Sequence, residues 1–306
     1  MLGGEAPCLE QLLAGSNQPI AGELKAQHGG AVARALMAAG HRVRGMTRNV
    51  GSDAARALGT AGTELVVGDF ARPGSLTEAT SGVDAVFAMS TPFEGGEAAE
   101  IAQGISLVDA AQEAGVGHFI YSSVASADKK TGIPHFDSER EIERYLASTS
   151  LEWTVIAPVY FMENLFLPQT LDALRAGTCA IAMPADVPLQ QIAVADIGAF
   201  GALVVDQKND FVGRRVDIAG DMLTAAESAE ALSRILDRPI GQYEVPMDQV
   251  RAISEDFALM YEWFVDTGYS ADVDGLRAAY PSVGWQRFAD WAGPRAGQIA
   301  GDPVGS

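Results

Sequence analysis

The chain has 306 residues, 48% hydrophobic and 20% charged, which are ordinary proportions for a folded protein with room for a large core. Its 40 acidic and 21 basic residues give a formal net charge of −19, which repels phosphate backbones and anionic lipid and argues against direct nucleic-acid or membrane partners. The two cysteines, Cys8 and Cys179, are too few for a disulfide framework. The opening residues lack a basic-then-apolar leader, and no apolar run reaches the roughly 18 residues of a membrane span. The expectation is a cytoplasmic protein.

In chain order, Asn17–His28 fits neither a buried strand nor a glycine loop, because Pro19 removes a backbone donor and Glu23–Ala26 brings bulky side chains. Gly29-Gly30 reads as a glycine turn, Ala31–Ala39 as a helix with Val32, Leu36 and Met37 on one stripe, and Gly40 as its stop. Arg42–Thr47 reads as a strand, and Ser52-Asp53 as the cap of a helix reaching Leu58. Glu64–Val67 is a strand, Pro73 suits a first helical turn, and Val83–Met89 is the next strand. A long helix follows from about Gly96 to Ala114, then the strand His118–Ser122, a charged amphipathic helix Phe136–Ala147 and the strand Trp153–Ile156.

This alternation predicts an α/β fold with a doubly wound parallel sheet and a ligand crevice beyond the carboxyl ends of the strands. Past Pro158 the pattern loosens. Gln191–Val194 and Arg215–Ala219 read as strands, Thr224–Asp237 and Met247–Thr267 as helices. The expected organisation is a nucleotide-binding domain over 17–157 that also receives strands from about 190–220. A smaller, discontinuous α+β domain over 158–292 and a fraying tail over 293–306 complete it.

In a dinucleotide cradle, glycines permit close approach of the pyrophosphate to a helix N-terminus, and Gly29 and Gly30 can supply that approach. The loop Thr47-Arg48-Asn49, with Arg44 nearby, lacks the acidic residue that holds a ribose 2′-hydroxyl and instead offers arginine to a 2′-phosphate, so it leans to NADP(H) over NAD(H). Asp69-Phe70 ends a strand where a side chain can flank adenine. Ser90-Thr91-Pro92 and Tyr121-Ser122-Ser123 end two more strands on the rim where nicotinamide and substrate would meet. No tyrosine has lysine four residues later, so the usual reductase acid/base pair is absent, and no metal-ligand spacing links the histidines and cysteines. His135 is a candidate proton donor to a carbonyl or quinone, and Tyr121 a second catalytic candidate.

Gly29–Asn49, Gly68-Asp69, Gly82–Phe87, Ser90–Phe93, Gly117–Ser126, Gly132–Ser138 and Pro158–Asn164 together resemble the NmrA-like family of atypical short-chain dehydrogenase/reductase relatives. The resemblance implies a Rossmann domain with a small C-terminal domain, NADP(H) binding, and contacts from Tyr160 and Asn164 to the cofactor. It also implies one of two roles: reduction of a small carbonyl or quinone-type acceptor, or redox sensing through protein partners. The chain departs from the family twice. The strand and first glycines expected before Gly29 are replaced, and the lysine expected after Phe136-Asp137-Ser138 is Glu139. Both departures predict weakened cofactor binding and leave open a degenerate member and whether the chain turns over substrate.

Overall fold

The structure is a computed structural model that describes residues 17–90, 92 and 95–301. Its helices are α1 (Asn17–Ala38), α2 (Asp53–Thr60), α3 (Pro73–Thr80), α4 (Glu97–Glu113), α5 (Pro134–Ser148), α6 (Pro168–Arg175), α7 (Val194–Asp206), α8 (Lys208–Phe211), α9 (Ala225–Ile235), α10 (Met247–Ile253), α11 (Glu255–Asp266), α12 (Val273–Ala279), α13 (Phe288–Ala292) and α14 (Ala296–Ala300). The strands are β1 (Arg44–Thr47), β2 (Glu64–Val67), β3 (Ala85–Met89), β4 (His118–Ser122), β5 (Trp153–Pro158), β6 (Tyr160–Phe161), β7 (Thr178–Ile181), β8 (Pro188–Ile192), β9 (Arg214–Ile218), β10 (Asp221–Thr224) and β11 (Gly241–Glu244).

The parallel, helix-covered layering is as expected, and it comes in two pieces. Strands β3-β4-β5-β9 form a four-stranded parallel sheet, while among the described residues β1 and β2 pair only with each other. A doubly wound sheet places its first strand between two such pieces. Among the described residues no strand stands there, because the preceding chain is helical. Two further small sheets, β10-β8-β6 and β11-β7, belong to the later part of the chain.

The largest difference from the sequence expectation lies in α1. It runs 22 residues through Gly29 and Gly30, so the glycine turn before Ala31 is not formed. Two internal glycines weaken a helix by about 1 kcal/mol each relative to alanine. Packing on α7 offsets that loss. Ala31, Val32 and Ala33 are buried, and a Cβ added to Gly198 of α7 would stand 2.7 Å from the Ala31 carbonyl oxygen. The absence of a side chain at Gly198 lets the two helices approach closely.

Local signals elsewhere act as the sequence suggests. Ser52 Oγ accepts the Ala55 N–H at 3.2 Å at the start of α2, and Pro73 opens α3. Thr224 and Glu227 form a reciprocal cap on α9. The long helix expected over Met247–Thr267 is instead broken at Ser254, whose backbone is extended (φ −153°, ψ 117°) and whose Oγ caps α11 by accepting from Phe257 N–H. Near the end of the described residues, Ile299 of α14 is buried with Leu174 and Trp291. Cys179 is buried, whereas Cys8 and residues 302–306 lie outside the described residues. No helix among the described residues is long and apolar enough to cross a membrane.

Alternation along β4 sends neighbouring side chains to opposite faces. Ile120 joins the core beneath α7, and Phe119 and Tyr121 join the core beneath α4 and α5. This alternation decides which rim residues can reach the crevice.

Candidate functional site

A cavity of about 440 Å³ opens at the carboxyl ends of β3, β4 and β5 and runs toward α11 and β7. Its wall is mainly apolar, with Met89, Phe136, Val159, Phe161, Met183 and Met260 among its contributors. Its polar residues include Ser90, Ser122 and Ser123 from the strand ends, His135 and Glu139 from α5, Tyr160, Asn164 and Gln191, Tyr261 and Tyr269, and His28 from α1. A mainly apolar chamber with sparse polar groups is the usual form of a small-molecule site.

The sequence candidates separate into two groups. Ser90, Pro92, Ser122, Ser123, His135, Tyr160 and Asn164 line the cavity. Gly29 and Gly30 do not, and as interior residues of α1 they present no helix N-terminus. Tyr121 is also outside it: only 1% exposed, it faces the α4/α5 core and its hydroxyl bonds Ser90 Oγ at 2.7 Å. Burial is the main cause that raises its pKa well above the usual phenol value. Phe70 packs against that same core rather than forming an exposed platform. Thr91 lies outside the described residues.

The loop after β1 is engaged with itself. Thr47 Oγ1 accepts the Asn49 N–H at 3.2 Å, and Asn49 Oδ1 accepts the Gly51 N–H at 2.9 Å. Arg44 donates to the Ala79 and Ser81 carbonyls at the end of α3 and pairs with Glu64, so its guanidinium holds two elements together. Asp69 is an acceptor for Ala71 N–H and Arg72. The backbone donor, then Arg72 and the Arg48 charge, hold its carboxyl below the usual value against a smaller opposing effect of desolvation.

The helix through Gly29 and Gly30 offers no N-terminal amides at those positions. A dinucleotide pyrophosphate needs free amides at a helix N-terminus. In α1 the amides of Gly29 to Ala33 lie a dozen or more residues inside the helix, where each N–H bonds the carbonyl four residues earlier. His28 marks where the helix stands. It is 1% exposed, its Nε2 is 3.4 Å from Ser122 Oγ at the end of β4, and its ring meets Phe87 and Phe161 edge-on. The part of α1 before His28 adds roughly 16 Å of helix, at about 1.5 Å per residue. Burial lowers the His28 imidazole to about 4, so the ring is neutral near pH 7.

Two partners of the cavity residues were not legible in the sequence. His135 Nδ1 lies 2.6 Å from Asp256 Oδ2, and its backbone N–H donates to Asp256 Oδ1 at 3.1 Å, which ties α5 to α11. Burial works to raise the Asp256 carboxyl, but hydrogen bonds and charge from His135 outweigh it and leave it below the usual value. The other is a group of three glutamates under the cavity floor. Glu143 accepts from Ser123 Oγ, from Arg140 at 2.7 Å and from Arg215 Nε at 3.2 Å to both oxygens. Glu100, fully buried, accepts from Ser138 Oγ. Glu139, on the cavity wall, is close enough to feel the charge of both. Burial first, then the charges of Glu100 and Glu143, push its carboxyl well above the usual range.

Tyr160, Tyr261 and Asn164 form a further polar string in the wall, the Tyr160 hydroxyl bonding both Tyr261 and Asn164. Burial raises both phenols, so they act as neutral donors and acceptors. Burial likewise pushes the Cys179 thiol up to about 11, which makes it a poor nucleophile near neutral pH.

The family model for the NmrA-like family matches residues 26–292. The chain belongs to the NmrA-like family. An NmrA-like family domain-containing protein of Dictyostelium discoideum is 27% identical over 258 residues, covering 78% of this chain and 84% of the relative. An NAD(P)H azoreductase of Xenophilus azovorans is 26% identical over 64% of this chain and 67% of its own length. Among solved structures, the Citrobacter sp. triphenylmethane reductase complexed with NADP(H) superposes with a TM-score of 0.73 at 22% identity, over 88% of this chain and 96% of that one. NmrA, a negative transcriptional regulator in complex with NADP, gives 0.73 at 21% identity over 87% and 91%. The structural likenesses establish the fold of this NmrA-like protein.

Proposed function

We propose that this NmrA-like protein binds a flat, mainly apolar carbonyl- or quinone-type molecule in the cavity at the ends of β3, β4 and β5, and that its dinucleotide binding is weakened. The observation that carries this reading is the contrast between two halves of one crevice. The half beneath α5 and α11 is an open apolar chamber with a few polar groups, whereas the half at Gly29–Gly30 is filled by an unbroken helix. Quinones and aromatic carbonyls suit that chamber, because their rings match its aromatic wall and their oxygens need only one or two donors.

Within this reading His135, held by Asp256, is the group that approaches the ligand from α5, and Ser122, Tyr160 and Asn164 orient it. The reductase relatives favour ancestry in NADPH-dependent reduction of such an acceptor, and Thr47-Arg48-Asn49 still suits NADP(H) better than NAD(H). The helix through Gly29 and Gly30 favours a member that keeps the acceptor site while its cofactor site is impaired. A regulatory role through protein partners is compatible with that state, since binding alone can shift a surface.

Binding of menadione, followed by quenching of tryptophan fluorescence, tests the cavity reading. Saturable micromolar binding supports it. No saturation up to the solubility of menadione overturns it.

A further inference from the structure

We infer that the molecule bound in the cavity carries an apolar tail, an alkyl or isoprenoid chain that lies between β7 and α9 while its carbonyl-bearing head stays at the strand ends. The inference deepens the proposed function and rests on it. It starts from the uneven distribution of polar groups over one cavity. At one pole stand Ser90, Ser122 and Ser123 at their strand ends and the string of Tyr160, Tyr261 and Asn164. The other pole is built by different elements: Cys179 and Ala180 of β7, Leu223 of β10, Ala225 of α9 and Phe288 of α13. These elements form one unit, because α9 packs on β7, β10 and α13. Cys179 and Phe288 belong to the core that holds Leu174, Leu232 and Trp291, and not to either core that flanks β4.

Size and chemistry point to the same occupant. The 440 Å³ volume falls in the range of roughly 300–1,000 Å³ that buries a drug-sized ligand, and a two-ring head seated at the strand ends leaves the β7 pole unfilled. The polar side chains of that pole, Gln169, Thr170 and Ser228, are uncharged, and among the described residues no lysine, arginine or aspartate lines the cavity. A charged group entering there would lose its hydration without gaining a counter-ion. An alkyl chain needs no donor or acceptor along its length and gains from leaving water. Ala180 and Ala225 stop at Cβ on this wall, where a larger side chain would take the space of the tail.

The probes are menadione, its hexyl derivative substituted at the free quinone carbon, and a derivative whose six-carbon chain ends in a carboxylate, each titrated into the full chain by tryptophan quenching. A methylene moved from water onto an apolar wall strengthens binding by up to about fourfold, part of which the ordering of the chain offsets. The hexyl derivative is therefore expected to bind at least about thirtyfold more tightly than menadione. The carboxylate-ended chain is expected to stay within about threefold of menadione, because its charge would be buried without a partner. In Ala225→Phe the ring occupies the β7 pole, and the hexyl derivative is expected to bind within about twofold of menadione in that same variant. Thr170→Phe, from the half-buried face of α6, serves as the second variant, and Tm shows that each is folded. Equal binding of menadione and the hexyl derivative by the wild type overturns the tail while leaving the cavity reading intact. A carboxylate-ended chain that keeps the full gain also overturns it, since that tail lies in water. A gain that persists in both folded variants places the tail elsewhere and overturns the β7 pole as its site. No binding of any of the three overturns the functional reading and the tail with it.

Discussion

His28 reports directly on the path of α1, and pH is the perturbation that reads it. Burial lowers its imidazole from 6.5 to about 4, and the ring stands against Phe87 and Phe161 with Nδ1 unpaired. Because the folded-state value lies below the unfolded one, the stability it permits is complete above about pH 6.5 and is lost as pH falls through about 4. Between about pH 7 and about pH 5 a group with these two values removes about 2 kcal/mol, approaching about 3 kcal/mol at lower pH. His28→Phe keeps a ring among rings and removes the titration. Urea unfolding at the two pH values is the assay. The variant is expected to lose about 2 kcal/mol less on acidification than wild type. His118, which burial also lowers to about 4, acts equally in both proteins and cancels in the comparison. Parallel losses in the two proteins would refute the buried position of His28, and with it the course of α1 past Ser122.

Three further substitutions test the packing around the site. Gly198→Ala forces a methyl toward the Ala31 backbone at 2.7 Å and is expected to destabilise by about 1–3 kcal/mol, seen as a lower Tm; an unchanged Tm contradicts the close α1/α7 contact. Glu163→Ala removes the acceptor of both the Trp291 indole N–H and the Val194 N–H, each at 3.0 Å, and is expected to cost about 2–5 kcal/mol in urea unfolding. A loss below about 1 kcal/mol would show that those donors find other partners. Asp256→Asn removes the charge from the bond to His135 and is expected to cost about 1–3 kcal/mol and to weaken menadione binding; retention of both contradicts the tether between α5 and α11.

The layering was legible because it rests on local signals. Apolar runs bounded by glycine and proline gave β2, β4 and β5, and Ser52 and Pro73 marked helix starts by chemistry that acts within four residues. The course through Gly29–Gly30 was not legible, since a glycine pair ordinarily interrupts a helix and the packing on α7 that includes Gly198 lies far along the chain. Ser122 and Tyr121 could not be told apart as a pair at a strand end; the face of the sheet separates them, one toward the cavity and one into the core. Asp256 and Arg215 stand 121 and 72 residues from the groups they bind, beyond the reach of any motif in one sequence. Glu139 was visible as a reversal of charge, but its neighbours Glu100 and Glu143 became apparent only through the packing of α4 on α5.

Titration calorimetry of NADPH into the full chain tests the central claim most directly, because the amides of Gly29 to Ala33 are either inside a helix or free to meet a pyrophosphate. The account predicts binding no tighter than millimolar. Micromolar binding of NADPH would contradict it and return Gly29 and Gly30 to the cofactor site.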